Sequence, residues 1–306
     1  MISMFNIIQT RKIWYLISGA LALTAVIGLT VWGLNFGIDF TGGSLTQIKF
    51  DSARPENAAV ENVLQPLNLT SLTLQPVDAK QLNIKTETLT EDLHQQVLAK
   101  LKTLNPDQKS TTPYFEELSF DSIGPTIGQE LKTKSIYSII IVLLAIILYI
   151  AYAFRKISRP VESWKYGVSA IIALIHDVLI VIGVFAFLGH FAHVQVDSYF
   201  VTAVLTVLGF SVHDTIVTFD RTRENLPKHQ DKTFEDVVNL SVNETIIRSI
   251  NTSLTAMIVL AAIFLFGGIT IKYFSLALLI GFFIGTYSSI FVASPLLVMW
   301  YKLKKY

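Results

Sequence analysis

The sequence predicts a polytopic α-helical membrane protein with one α+β insert between its first two membrane-spanning helices. Of its 306 residues, 52% are hydrophobic and 15% are charged, whereas a soluble domain has about 25% charged residues. The charge is also uneven, because residues 35–134 are mixed and polar while the rest of the chain consists mostly of long apolar runs. A single soluble globule, a disordered chain and a collagen-like repeat are therefore excluded.

Six apolar segments are long enough to cross a bilayer, for which a helix needs about 20 residues. They are residues 13–34, 136–154, 164–188, 198–219, 245–266 and 273–300. The first follows Arg11 and Lys12, as the apolar part of a signal peptide would. However, it is longer than the roughly 7–15 residues typical of such a part, and no Ala-x-Ala exit follows it. We therefore expect an uncleaved anchor rather than a cleaved signal peptide.

Lysine and arginine residues in the short loops predict the orientation, because positively charged loops stay in the cytoplasm. One side of the spans carries only Lys272 in its short loops. The other side carries Arg11, Lys12, Arg155, Lys156, Arg159, Lys165, Arg221, Arg223, Lys228, Lys232, Lys302, Lys304 and Lys305. Both termini are therefore expected in the cytoplasm, and the long segment between the first two spans is expected outside.

The resulting organisation has four parts. Residues 1–34 form the cytoplasmic N-terminus and first span, and residues 35–134 form the extracytoplasmic domain. Residues 135–300 form a bundle of five further spans, and residues 301–306 form a cytoplasmic tail.

The extracytoplasmic segment has the element order β-α-β-β-α-β, which is the ferredoxin-like, or split βαβ, arrangement. Strands are expected at 43–50, 71–77, 81–87 and 114–121, helices at 55–67 and 90–104, and a polar loop at 105–113. Thr90 is the expected N-cap of the second helix. Its histidine, His94, sits among Gln and Leu residues and indicates no catalytic or metal site. We interpret the insert as a small protein-contacting module.

Nucleotide-binding and hydrolase motifs are absent from the sequence, which contains no G-x-x-x-x-G-K-[ST], G-x-S-x-G or H-E-x-x-H. The chain also has no cysteine, which excludes disulfides, thiolate metal sites and a cysteine nucleophile. A net charge of +1 offers no broad attraction for nucleic acid. We therefore predict a non-enzyme without cofactor or metal that takes any energy it uses from elsewhere.

Ionisable residues inside the spans are the strongest functional signal, because such groups are costly in hydrocarbon and mark ion or proton pathways. His176 and Asp177 fall near the middle of the third span, and His213 and Asp214 lie in the fourth. Arg248 opens the fifth span. Asp214 and Arg248 are equally far from the centre of the intervening loop, so antiparallel helices would bring them to similar depth. We therefore expect an Asp–Arg ion pair, which would offset much of the desolvation cost of each charge.

One face of the fifth span carries polar residues at helical spacing: Glu244, Arg248, Asn251, Thr252 and Thr255. Such a stripe is expected to face the bundle interior or a wet cavity. Two plainer interpretations stay open: Arg248 can snorkel to the headgroups, and the Ser and Thr side chains can serve only as helix–helix contacts. The predicted proton-coupling residues are Asp214 and Arg248, extended by His213, Asp177, His176 and Asn251.

Two other features predict packing or surface contact. Gly281 and Gly285 form a G-x-x-x-G pattern in the last span, which is typical of closely packed membrane helices. Residues 233–243 can form a separate amphipathic helix on the membrane surface or against a partner, or simply a solvated face.

Four segments of the chain, in order, resemble the SecD/SecF protein-export family. Residues 36–43 read FGIDFTGG, with the motif residues Gly37, Asp39, Phe40, Gly42 and Gly43. Residues 123–131 read IGPTIGQEL, with Gly124 and Pro125. Residues 210–225 read FSVHDTIVTFDRTREN, with Phe219, Asp220, Arg221, Arg223, Glu224 and Asn225. Residues 286–295 read TYSSIFVASP, and together with the third segment they resemble the SecF branch.

The resemblance implies half of a resistance-nodulation-division (RND) transporter, with six spans and a periplasmic domain. It implies a multi-pass subunit of the bacterial cytoplasmic, or inner, membrane that pairs with SecD and acts beside the SecYEG translocon, SecA and YajC. With the proton motive force, the pair would help unfolded preproteins move and be released on the outer side. The coupling ion would be H⁺, with Asp214 and Arg248 as the family's aspartate of span four and arginine of span five. The family often carries Asn where this chain has His213.

Two alternatives are an RND-type exporter half for small molecules and a non-transporting scaffold subunit. Co-purification of a SecD-like partner and the translocon channel would favour the translocase subunit over the exporter. In a scaffold, Asp214→Asn and Arg248→Ala would leave activity intact.

Overall fold

The computed structural model describes residues 5–105, 113–155 and 161–303, and the chain divides into two compact units. One unit is Phe36–Ser135, and the other combines Met1–Asn35 with Ile136–Tyr306. Most of the predicted polar loop at 105–113 lies outside the described residues. The same holds for four residues of the predicted cytoplasmic set, namely Lys156, Arg159, Lys304 and Lys305.

The elements are named here in chain order. The helices are α1 Arg11–Val31, α2 Ile38–Thr41, α3 Asn57–Leu64, α4 Glu91–Lys102, α5 Pro125–Ala153, α6 Ser163–Phe191, α7 Ser198–Asn225, α8 Phe234–Phe266, α9 Ile269–Ser288 and α10 Ser294–Leu303. The strands are β1 Gly43–Phe50, β2 Thr73–Pro76, β3 Gln81–Thr86 and β4 Phe115–Ile123. A 3₁₀ turn, Gln65–Leu67, follows α3, and a π-helical segment, Ser289–Ala293, joins α9 to α10.

The Phe36–Ser135 unit contains a four-stranded antiparallel sheet with the order β2-β3-β1-β4, which confirms the predicted ferredoxin-like arrangement. Alternate residues of the strands bury their side chains with the apolar faces of α3 and α4, because successive residues of a strand point to opposite faces. The buried cluster includes Ile48, Phe50, Val60, Leu64, Leu82, Ile84, Val97 and Leu101.

Element ends in this unit follow capping and backbone conformation. The Oγ1 atom of Thr90 accepts a hydrogen bond from the Leu93 amide, so Thr90 is the N-cap of α4 as predicted. β2 is shorter than predicted. Ser71 lies at a φ of +58°, which is not an extended conformation, and Pro76 at the strand end has no backbone N–H to donate. The first helix ends earlier than predicted as an α-helix, with the 3₁₀ turn completing it before Asn68 adopts a left-handed conformation.

Within the described residues, six helices are long and apolar enough to span a membrane, and they correspond to the six predicted segments. The fifth of these helices begins earlier than predicted, at Phe234. Residues 233–243, predicted as an amphipathic helix on the membrane surface or against a partner, or as a solvated face, are the N-cap and first turns of α8. Thr233 caps α8 by accepting a hydrogen bond from the Asp236 amide, and no glycine or proline interrupts the helix after it. The second span is also longer than predicted, because α5 begins at Pro125.

The bundle is closely packed where glycines allow two helices to approach. A Cβ atom added to Gly281 would lie 2.1 Å from Cγ2 of Val207, and one added to Gly285 would lie 3.0 Å from Cβ of Ser211. α9 therefore packs its G-x-x-x-G face directly on α7, as predicted. By contrast, α1 and α5 expose large apolar side chains such as Leu16, Ile141 and Leu148, as lipid-facing helices do.

Candidate functional site: two buried carboxylates in the helix bundle

Asp177 on α6 is fully buried and surrounded by hydrogen-bonding side chains. Its Oδ1 atom lies 2.9 Å from Nδ1 of His176. Its Oδ2 atom accepts hydrogen bonds from Ser211 on α7, at 2.5 Å, and from Ser288 at the end of α9, at 2.7 Å. Three helices therefore meet at one carboxylate, whose hydrogen bonds offset the cost of burying it.

Asp214 on α7 is the second buried carboxylate, with 3% of its surface exposed. Its Oδ2 atom accepts a hydrogen bond of 3.2 Å from Thr286 on α9, which is in turn hydrogen-bonded to Ser253 on α8. The hydroxyls of Ser249 and Ser253 also face this carboxyl group. Asp214 thus sits where α7, α8 and α9 meet, held by neutral hydroxyl groups.

The predicted ion pair between Asp214 and Arg248 is wrong. Arg248 is exposed, and within the described residues it forms no ion pair with Asp214. The next residue, Ser249, is the one that faces the carboxyl group. The prediction therefore placed the two residues at the right depth but in the wrong direction, since successive helical residues point about 100° apart.

The two faces of α8 explain this error. The residues that face the bundle are small and polar at intervals of four: Ser241, Thr245, Ser249 and Ser253 are all buried. The predicted polar stripe lies on the other side and forms the outer stripe of α8, with Glu244, Arg248, Asn251, Thr252 and Thr255 all exposed. The regular spacing of the Ser and Thr residues was the sequence signal for the inner face, and the charged stripe concealed it.

The structure brings together only some of the predicted coupling residues. His176 belongs to the Asp177 cluster. His213 is exposed beside Asp214, and Asn251 is exposed on the outer stripe of α8. Sequence reasoning missed the hydroxyl partners Ser211, Thr286 and Ser288, which complete both carboxylate sites.

The motif at the end of α7 forms a clamp on α8 rather than part of the carboxylate sites. Arg221 donates to Glu244 through Nε at 2.7 Å and to Glu224 through Nη1 at 2.9 Å. Asn225 donates to the same Glu244 oxygen at 2.6 Å and to Ser241 at 3.1 Å. These contacts fix the hairpin that places Asp214 opposite Ser249.

The remaining motif residues at this end divide between core and surface. Phe219 is fully buried and packs edge-on against the rings of Phe154 and Tyr166. Asp220 and Arg223 are exposed and lie 3.7 Å apart on the surface of α7.

The glycine motif after the first span joins the segment before the second span. Gly42 has a φ of +72° and Gly43 a φ of +115°, conformations that glycine adopts without strain. A Cβ atom on Gly42 would lie 2.9 Å from Cα of Pro125, and one on Gly43 would lie 2.5 Å from the Thr86 carbonyl oxygen. The two motifs therefore form one tightly packed junction, at which Gly124 directly precedes α5.

The short helix α2 completes this junction. Gly37 is its N-cap, and Asp39 lies in its first turn. Phe40 is buried, with its ring edge-on to Phe36 at 5.8 Å between centroids.

Fold and site together define a multi-pass membrane protein whose helix bundle encloses ionisable groups and whose first loop carries a ferredoxin-like domain. Two family models match the chain: "Protein export membrane protein SecD/SecF, C-terminal" over residues 103–303 and "SecD/SecF GG Motif" over residues 27–53. The chain belongs to the SecD/SecF family of protein-export membrane proteins.

Similar proteins place the chain in the SecF branch of that family. It is 44% identical over 306 residues to the protein translocase subunit SecF of Thermobaculum terrenum, covering 97% of this chain and 94% of the relative. It is 40% identical to SecF of Anaerolinea thermophila, with the same coverage of both chains. The crystal structure of SecDF from Thermus thermophilus, a translocon-associated membrane protein, matches with a TM-score of 0.81 and 29% identity. That match covers 98% of this chain but 39% of the SecDF chain, so this chain corresponds to about two-fifths of it.

Proposed function

We propose that this chain is the SecF-type accessory subunit of a Sec protein translocase, acting with a SecD subunit in the bacterial cytoplasmic membrane. Both termini lie in the cytoplasm, and the ferredoxin-like unit lies outside, where it contacts unfolded preprotein. The proton motive force supplies the energy for movement and release on that side. SecYEG, SecA and YajC are the further partners that this assignment implies.

The observation that carries the proposal is the setting of Asp214. Its carboxyl group is buried among hydroxyls, and no lysine or arginine in the described part of the chain forms an ion pair with it. A buried carboxylate whose charged neighbour is an exposed histidine, His213, is expensive to keep ionised. A proton arriving from outside would therefore change the stability of this site substantially.

Protonation would also change the hydrogen bonds that link three helices. An ionised carboxylate accepts the hydrogen bond from Thr286, with the hydroxyls of Ser249 and Ser253 facing it, whereas a protonated one also donates. The membrane potential provides about 2.3 kcal/mol per charge per 100 mV. We infer that proton binding at Asp214 shifts α7 relative to α8 and α9 between two arrangements. This shift would drive the work of the Phe36–Ser135 unit, the outer unit of this proposal.

The outer stripe of α8 supports a proposal for where the SecD subunit binds. An arginine facing hydrocarbon is costly, yet in the isolated chain Arg248 is exposed, as are Asn251 and Thr255 beside it. Polar residues of this kind face protein in a membrane bundle. We therefore propose that SecD covers this face, which would complete the second half of a transporter-like bundle.

The test is preprotein translocation into membrane vesicles with and without a proton gradient. Asp214→Asn should abolish the gradient-dependent part of translocation, because the amide cannot take up a proton. Asp220→Asn is the matched control, since it makes the same change at an exposed position of the same helix. It should leave the gradient-dependent part intact.

Unchanged stimulation by the gradient in Asp214→Asn vesicles would contradict proton coupling at this residue. If Arg248→Ala vesicles were also unaffected, a non-transporting scaffold would be the better description. The small-molecule exporter alternative is not favoured, because the relatives reported above are translocase subunits.

A further inference from the structure

The Asp177 cluster contains a buried nitrogen atom that the proposed role of Asp214 does not use. His176 is 8% exposed, and its Nδ1 atom lies against Asp177. Its Nε2 atom is buried and has no hydrogen-bond partner among the described residues. An unpaired buried polar atom is costly, so its presence in a folded protein needs an explanation.

The hydrogen bonds around Asp177 define the chemistry of this nitrogen. Ser211 and Ser288 both donate to Oδ2, which leaves Oδ1 to accept from the ring. When Asp177 is ionised, the ring donates from Nδ1, so Nε2 of the neutral imidazole is a lone pair with no donor. A carboxylate that holds the Nδ1 hydrogen stabilises the imidazolium formed when Nε2 takes up a proton.

We propose that His176 and Asp177 form a second proton-binding site, at which Nε2 of His176 takes up and releases the proton. The step is balanced: the Nε2 lone pair forms the new N–H bond, and water is left where hydronium delivered the proton. The buried pair changes from a net charge of −1 to zero. The site is distinct from Asp214 but adjacent to it, because Ser211 lies one helical turn from Asp214 on α7.

The ionisable neighbours of the His176–Asp177 pair lie on the helices packed around it. α9 contributes Tyr287, whose ring stacks on the imidazole at 6.4 Å between centroids. The Tyr287 hydroxyl is hydrogen-bonded to Ser18 of α1, at 3.0 Å, and to the Trp14 carbonyl. Tyr287 and, one turn beyond Ser211, Asp214 are therefore the ionisable neighbours to be considered in a titration.

The inference deepens the proposed proton-driven function but is tested without translocation. The full chain, assembled with its SecD partner in nanodiscs, is labelled with ¹⁵N-histidine, and the imidazole shifts are followed between about pH 4 and pH 9. The signal missing from His176→Gln identifies the residue. His213→Gln is the matched control, because it removes an exposed histidine next to the other carboxylate.

We expect the His176 signal to titrate within this range in the unmodified protein. Asp177→Asn should lower its midpoint by about one pH unit or more, since an adjacent carboxylate favours the charged ring. That shift is at least a tenfold loss of proton affinity. His213→Gln should leave the His176 midpoint in place.

Two results would overturn the inference. The first is a His176 ring that stays neutral across the whole pH range. This result is read from the unmodified protein, with His176→Gln used only to identify the signal. The second is an unchanged midpoint in folded Asp177→Asn protein. Either would leave the Asp214 proposal standing, and a failed Asp214→Asn experiment would likewise not decide the titration of His176.

Discussion

The outer unit and the helix bundle distribute their polar groups in opposite ways. In the Phe36–Ser135 unit, Ile48, Leu64 and Leu82 are fully buried, and most charged side chains lie at the surface. In the bundle, large apolar side chains face outward and Asp177 and Asp214 lie inside.

The outer unit has its own exception to this distribution. His94 is 3% exposed and stacked on Phe120 at 3.7 Å, with its Nε2 atom 2.9 Å from a carboxylate oxygen of Glu117. This histidine, which the sequence presented as an ordinary helix residue, is therefore part of the domain core.

The difference teaches what holds each unit together. Water drives the collapse of the outer unit, so burial of apolar surface both stabilises it and shows which faces point inward. Lipid is as apolar as leucine, so the bundle gains little from burying leucine in itself. Its stability depends instead on close packing and on polar contacts between helices.

The largest expected effect comes from the same substitution made in both units. Leu82→Ala removes a fully buried side chain from the outer core and should lower the local free energy of unfolding by about 2–5 kcal/mol. Leu148→Ala on α5, where the leucine is 70% exposed, should cost far less. Hydrogen exchange of β3 and α5 amides in the full chain measures both. Equal losses would refute the contrast between the two units.

A smaller effect is expected where helices touch. Gly281→Ala places a methyl group 2.1 Å from the Val207 side chain, which is stiff because valine is branched at Cβ. Overpacking of this kind should cost about 1–3 kcal/mol. Gly209→Ala, with no atom within 4 Å of its added Cβ, is the matched control. A thermal melt of the chain in detergent should show a lower Tm for the first variant only.

The smallest effect on the chain itself is expected at the outer stripe of α8. Arg248→Ala removes an exposed side chain, so the free energy of unfolding of the chain alone should change by no more than about 0.5 kcal/mol. The Tm of the chain alone should therefore hardly change. The amount of SecD that co-purifies should nevertheless fall. A large loss of stability without loss of SecD would show that Arg248 acts within this chain, against the proposed interface.

Much of the fold could be predicted because it follows from length and periodicity. Six apolar runs long enough to cross a bilayer can form only helices there, since every backbone group must be satisfied within the segment. The elements of the insert could be predicted from local patterns instead, because its strands alternate apolar and polar residues and Thr90 is a recognisable N-cap.

The details of the carboxylate sites could not be predicted in the same way. Counting residues from a loop gives the depth of Arg248 but not its direction, and hydrophobicity cannot separate an inward face from a lipid face. The partners of Asp177 come from α7 and α9, far apart in sequence, so only the assembled bundle brings Ser211 and Ser288 together.

The π-helical segment in the last span affects how that span can be aligned with other helices. Its wider turn holds one residue more than an α-helical turn would, and the side-chain hydroxyl of Ser294 donates to the Ser289 carbonyl there. A uniform helix compared with this span therefore requires a one-residue gap between 289 and 293. The side chains before and after that gap follow two helical periodicities that are out of step by one residue. Spacing counted across the gap therefore assigns residues of α9 and α10 to the wrong faces.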